Sequence, residues 1–355
     1  MNMRNLLTSP RPQIFVAGIF VAFIVLIAGT LALTYRHGGS PNPLVFKTDY
    51  WRANIQSVGA ARAYEELARD VARLDPSDQH GAAHAFGGAL YMEEGIGGFT
   101  TCDIRFSYGC FHEFIGRSII DRGIDVVGTL DRLCGGDTAG CQHGIGHGVL
   151  AYLGYGTKDL TQAIRICASL TDDNALQGCD AGVYMEYNLQ TMTQGGSATT
   201  AVRMPDSGGM YAPCDTLAHV AQRVCYQWQP QWWWVYFTEA LHSDHAAALS
   251  RTAALCEKVA DRGSREACVA GTGLMAPVAG NYDPHRSAAL CDASFGDVNE
   301  QLICKGYAAN VYNSTQSSAV ALRVCDGLIG ERSLYCRSYA EGTANIANPR
   351  ALPTL

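Results

Sequence analysis

Two hydrophobic patterns divide the chain. From Ile14 to Thr34 an apolar run of 21 residues carries no charge. At about 1.5 Å per residue it would span a hydrocarbon core of roughly 30 Å, so the run predicts a transmembrane helix. Arg4 and Arg11 precede it and Arg36 follows. That bias expects a cytoplasmic N-terminus (1–13), an anchor through the membrane at 14–34 and an exported remainder. A cleaved signal peptide is the rival reading, with Thr30-Leu31-Ala32 a poor cleavage site.

Beyond a linker at 35–56, apolar residues recur every three or four positions. Leu160, Ala163, Ile164 and Cys167 are one example, as a helix burying one face requires. Segments of this kind precede many of the odd-numbered cysteines (DLTQAIRIC, HAAALSRTAALC, SAVALRVC), and Ala/Gly/aromatic segments follow the even-numbered ones (GCFHEFIGRSII, GCQHGIGHGVLAYLG, GCDAGVYMEYNLQ). The pattern predicts alternating helices: A after a cysteine, a turn, B before the next cysteine, then a short loop. Residues 60–74 and 78–95 read as an unstapled B and A, which starts the array near residue 57.

The cysteines set the ruler. The 14 of them fall into seven close pairs whose first members are spaced 32, 33, 47, 42, 35 and 34 residues apart. A period near 34 signals a helical array. Neighbour pairing is the economical connectivity, because the end of one helix and the start of the next lie at the Cα separation a disulfide needs. It joins Cys102–Cys110, Cys134–Cys141, Cys167–Cys179, Cys214–Cys225, Cys256–Cys268, Cys291–Cys304 and Cys325–Cys336. Disulfides persist in oxidising compartments, so the cysteines agree with export.

On period, cysteine pairing and small-residue spacing, residues 57–348 resemble the tetratricopeptide-like α/α repeats, in particular the secreted cysteine-rich branch with one disulfide per repeat. The cysteine spacing varies more than in that class. The resemblance implies periplasmic or extracellular binding of a protein or peptide. The expected fold class is all-α: a transmembrane helix, then a disulfide-stapled α/α solenoid of about seven or eight helical hairpins, then a tail at 349–355.

Composition narrows the chemistry. The net charge is −7, and the first 36 residues hold three arginines and no acid, so the body is more acidic still. An acidic body without a basic run argues against nucleic acid. No CxxCH, P-loop, GxSxG or strand-borne GxGxxG occurs.

The histidines align on the repeat. His112 lies two residues after Cys110, while His143 and His147 lie two and six after Cys141. His80 and His84 share that four-residue spacing, with Asp78 at the cysteine position. Residues four apart face one side of a helix, the spacing helical metal sites use. His112 stands between the pairs and could complete a three-histidine site with either, or bridge two ions. Glu113 and Glu186 are candidate ligands or general bases. HEFIG lacks the second histidine of a zinc-protease signature. Imidazole and carboxylate donors suit zinc, copper or iron. The alternatives are tight packing of buried imidazoles and catalysis without metal. Later repeats carry Ala270, Gly306 and Ser338 at the first histidine position, so packing there needs no imidazole. Gly87, Gly88, Gly144, Gly146 and Gly148 permit close packing of helices or close approach of a ligand.

Trp228, Trp232, Trp233 and Trp234 crowd one segment. They read as a platform for a protein or glycan partner, or as a plug filling the gap left by the longer repeats. Residues 191–213 read as a surface loop or flap. Two functions compete: an exported, anchored binding or scaffold module for a protein, peptide or glycan, and a metal-binding protein or metalloenzyme built on His80, His84, His112, His143 and His147.

Overall fold

The computed structural model describes residues 42–135, 139–170, 178–192, 203–205 and 209–344. The segments expected as cytoplasmic tail, transmembrane helix (14–34) and C-terminal tail lie outside them, as does most of the 191–213 loop. The expected fold class needs one correction. Among the described residues no helix is long and apolar enough to cross a membrane, and the architecture is all-helical and disulfide-stapled. Polar and small residues interrupt the apolar positions of these helices, which a lipid-buried span of about 20 apolar residues does not allow.

The helices are α1 (Thr48–Val58), α2 (Ala60–Val71), α3 (Pro76–Glu94), α4 (Gly109–Arg122), α5 (Val127–Cys134), α6 (Ala139–Leu153), α7 (Thr157–Cys167), α8 (Cys179–Leu189), α9 (His219–Val235), α10 (His245–Cys256), α11 (Arg262–Ala279), α12 (Pro284–Ser294), α13 (Val298–Thr315), α14 (Ser318–Ala321) and α15 (Gly330–Ala340). Short polar side chains start several of them. Asp75, Asp244, Asp261, Asp283 and Asp297 each accept a hydrogen bond from a first-turn backbone N–H, and Pro76 and Pro284 occupy first positions.

Helices α1, α3, α4, α6, α8, α9, α11, α13 and α15 stack in succession as an inner row. Helices α2, α5, α7, α10 and α12 flank that row between its members. The packed array thus begins at Thr48. The row curves, since Ser77 at the start of α3 hydrogen-bonds Tyr282 just after α11 (2.5 Å).

Seven disulfides join the neighbouring cysteines in sequence, with Cα separations of 5.4–5.7 Å. Each ties the start of an inner helix to the segment before it, and no cysteine is left free. Such a set of disulfides belongs to an oxidising environment.

The inner helices meet backbone to backbone. A Cβ on Gly146 would stand 2.0 Å from the Cys179 carbonyl oxygen, and one on Gly182 would stand 1.9 Å from that of His143. Only glycine permits α6 and α8 to come so close.

Trp232 and Trp233 are fully buried and Trp234 nearly so. Their indole N–H groups donate to the carbonyls of Arg203 (2.6 Å), Met210 (2.6 Å) and His245 (3.3 Å). The Arg203 guanidinium lies over the Trp232 ring at 3.6 Å. These tryptophans fill the space beside the long loop and offer no exposed platform, so the plug replaces the partner surface expected of them. Satisfying each indole internally is what lets a core hold three such side chains.

Candidate metal centre

Close helix packing gathers all five aligned histidines. His112 on α4 sits at the middle, its ring centroid 5.3 Å from His80, 5.6 Å from His84, 5.2 Å from His143 and 5.3 Å from His147. The pairs themselves are 4.6 Å (His80, His84) and 4.9 Å (His143, His147) apart. Imidazoles bound to one ion at about 2.0–2.1 Å would place their centroids about 5 Å apart, within the roughly 4.5–7 Å range that packed rings also occupy.

The half nearest the N-terminus is the more complete. Ligating atoms of His80, His84 and His112 all lie within 4.8 Å of one another. Three consecutive non-glycine residues, Phe106, Ser107 and Tyr108, adopt left-handed conformations with φ of 56°, 51° and 64°. That costs of order 1 kcal/mol each. It directs the Phe106 carbonyl at His80, whose Nδ1–H donates to it at 2.7 Å. The His80 Nε2 lone pair is thereby turned inward, 3.0 Å from His84 Nε2. Two nitrogens on one ion stand about 3.0–3.4 Å apart at angles of 90–110°.

On its other side His84 Nδ1 lies 3.5 Å from Glu113 Oε2. Glu113 is buried and also accepts from Arg117 Nε at 2.6 Å. The tautomer that frees His84 Nε2 for a metal puts Nδ1–H toward this carboxylate, the carboxylate–histidine–metal arrangement of metalloproteins. Glu113, expected as a ligand or base, is placed to orient His84. Arg117 lines a surface pocket of about 750 Å³ with Arg52, Tyr91, Met92 and Asp121, so Arg117 and Glu113 connect solvent to the triad.

Glu186, fully buried, plays the equivalent part for His147. It accepts from His147 Nδ1 (2.8 Å), Tyr155 Oη (2.6 Å), Thr191 Oγ1 (2.6 Å) and the backbone N–H groups of Thr191 (3.1 Å) and Met192 (3.0 Å). The left-handed Gln190 turns the chain back to supply those two N–H groups. Burial pushes the Glu186 carboxyl up, but His147, Thr191 and Tyr155 together hold it below the usual carboxylate value. His147 Nε2 is buried with no hydrogen-bond partner among the described residues, as is His112 Nδ1.

Two of the imidazoles, His80 and His112, are held neutral. Burial first, then His84, pushes His80 down to about 3, against the Phe106 hydrogen bond that raises it. Burial and the four surrounding histidines push His112 well below its ordinary value. The sign follows directly. Below pH 6.5 the unfolded chain takes up protons at these positions that the folded chain refuses, so acid favours unfolding. The metal-free protein is expected to lose stability as the pH falls from about 6.5 toward 3, with no contribution from His80 above that range. Urea midpoints at pH 7.5 and 5.0 check this, and equal midpoints would contradict it.

The sequence pattern pointed to the five histidines and two glutamates. It did not identify Phe106, which acts through its backbone carbonyl, or Arg117, Tyr155 and Thr191, whose side chains hydrogen-bond Glu113 and Glu186. It also passed over Met185, which lies six residues after Cys179 as His147 lies six after Cys141, so the repeat register could have found it.

The fold and site together define a disulfide-stapled helical repeat protein with a histidine cluster between its inner helices. No family model, no curated protein and no solved structure matches the chain.

Proposed function

We propose that this chain is a metal-binding protein, exported to a periplasmic or extracellular space, that holds a divalent transition metal on His80, His84 and His112. Zinc is the first candidate. The tetratricopeptide-like array serves to bring two inner helices, α3 and α4, close enough to share the ion. One observation carries the reading: three imidazoles converge within 4.8 Å while outer partners fix the two on α3, the Phe106 carbonyl on His80 and Glu113 on His84. His84 Nε2 and His80 Nε2 lie at hydrogen-bond distance, and His112 adds a third nitrogen that this pair does not require. Three protein ligands leave a fourth coordination position for water or a substrate atom, where a metal supplies Lewis acidity. The competing function, a scaffold for a protein, peptide or glycan, draws support from the repeat architecture alone.

Elemental analysis of the full chain after zinc loading and dialysis tests the reading. One equivalent is expected, lost in His84→Ala and retained in His285→Ala, whose exposed imidazole lies 3.8 Å from Asp326 and outside the cluster. Zinc at 100 times its dissociation constant is expected to stabilise the wild-type fold by about 2.7 kcal/mol. A folded wild-type protein without stoichiometric zinc, copper or iron would overturn the proposal.

A further inference from the structure

We infer that the other half of the histidine cluster is a separate, soft-metal site for copper(I), formed by His143, His147 and the Met185 thioether. His112 abuts it, its ring centroid 5.2 Å from that of His143 and 5.3 Å from that of His147. The site stands on observations independent of the three-histidine reading and shares only His112 with it.

Three features build it. His147 is almost fully buried, and its Nδ1 is committed to a carboxylate that takes five hydrogen bonds, so the ring cannot turn. Its Nε2 has no hydrogen-bond partner among the described residues. A buried, unsatisfied acceptor held in place is costly unless something binds there. Second, His143 Nε2 lies 3.4 Å from Met185 Sδ. A nitrogen and a sulfur bound to one ion at about 2.0 and 2.3 Å stand about 3.5 Å apart at a tetrahedral angle. Third, the ring centroids of His112, His143 and His147 are 4.9–5.3 Å apart, as in the first site.

The donor set selects the ion. No carboxylate oxygen is free to enter, because Glu186 is spent on the outer nitrogen of His147 and on its four other donors. The Met185 thioether is a soft donor and prefers copper(I) to zinc. The Trp228 ring packs on His143 with centroids 5.1 Å apart and covers this end of the cluster.

Anaerobic titration of the full chain with copper(I) against a competing chelator, combined with copper X-ray absorption, tests the inference. Wild type is expected to bind one tight equivalent with a sulfur neighbour at about 2.3 Å. Met185→Leu, a volume-conserving change whose folding is checked by circular dichroism, is expected to lose the sulfur neighbour and weaken copper(I) binding at least tenfold. His84→Ala is expected to lose zinc and keep copper(I). That result separates the sites, and copper(I) retained by a wild-type chain without zinc would sink only the three-histidine reading. Unchanged affinity in Met185→Leu, no sulfur neighbour in wild type, or loss of copper(I) in His84→Ala would each overturn the inference.

Discussion

Reduction of the seven disulfides is expected to unfold the protein at neutral pH and room temperature. The bridges close loops with sequence separations of 7 to 13 residues. In the chain-entropy account each contributes about 2.5–3 kcal/mol. Together they exceed the roughly 5–15 kcal/mol net stability of a typical domain. The glycines at the inner-helix contacts each cost about 1 kcal/mol of helix propensity relative to alanine. Far-UV circular dichroism through a urea titration, with and without a strong thiol reductant, makes the measurement. A cooperative transition in the reduced protein at the oxidised midpoint would show that packing alone carries the fold. Cys110 and Cys141 open the helices that bear His112 and His143, so metal binding should disappear with them.

Gly182→Ala is expected to be the most damaging single methyl in the molecule. A Cβ there would stand 1.9 Å from the His143 carbonyl oxygen and 2.8 Å from its carbon. Both are backbone atoms, and no rotamer change relieves the overlap. Overpacking a core commonly costs about 1–3 kcal/mol, and a clash that only separation of α6 from α8 can relieve belongs at or above the upper end. At about 2–4 °C per kcal/mol the melting temperature should fall by roughly 6–12 °C. Gly97→Ala is the control, because nothing lies within 4 Å of its Cβ position, and it should stay within about 0.5 kcal/mol of wild type. The substitution should also weaken metal binding, since separation of α6 from α8 draws His147 from Glu186 and His143 from Met185. A Gly182→Ala protein that melts with wild type would show that this helix contact is softer than its geometry requires.

Most of the helical array was legible because its signals are local. Helix α7 announces itself by Leu160, Ala163 and Cys167 on one face, all buried in the structure. Helices α12 and α13 start behind Asp283 and Asp297, whose side chains accept from first-turn N–H groups. Helix α1 was absorbed into an expected linker, because Trp51 and Ile55 are too few anchors to stand out without the helices that cover them. The tryptophan segment looked equally like a surface and a core. What decided it was the Arg203 and Met210 carbonyls, which come from a loop that has no pattern of its own.

By itself the sequence determined most of the helices, the seven bridges and the common register of the five histidines, because periodicity and cysteine spacing act within one repeat. Tertiary structure alone decided that His112 touches both pairs, that Phe106 and Glu113 hold the outer nitrogens of His80 and His84, and that Glu186 is the anchor of His147. Those relations depend on how closely successive inner helices approach. That distance is set where one glycine meets another helix's carbonyl, a contact between repeats that no single repeat encodes.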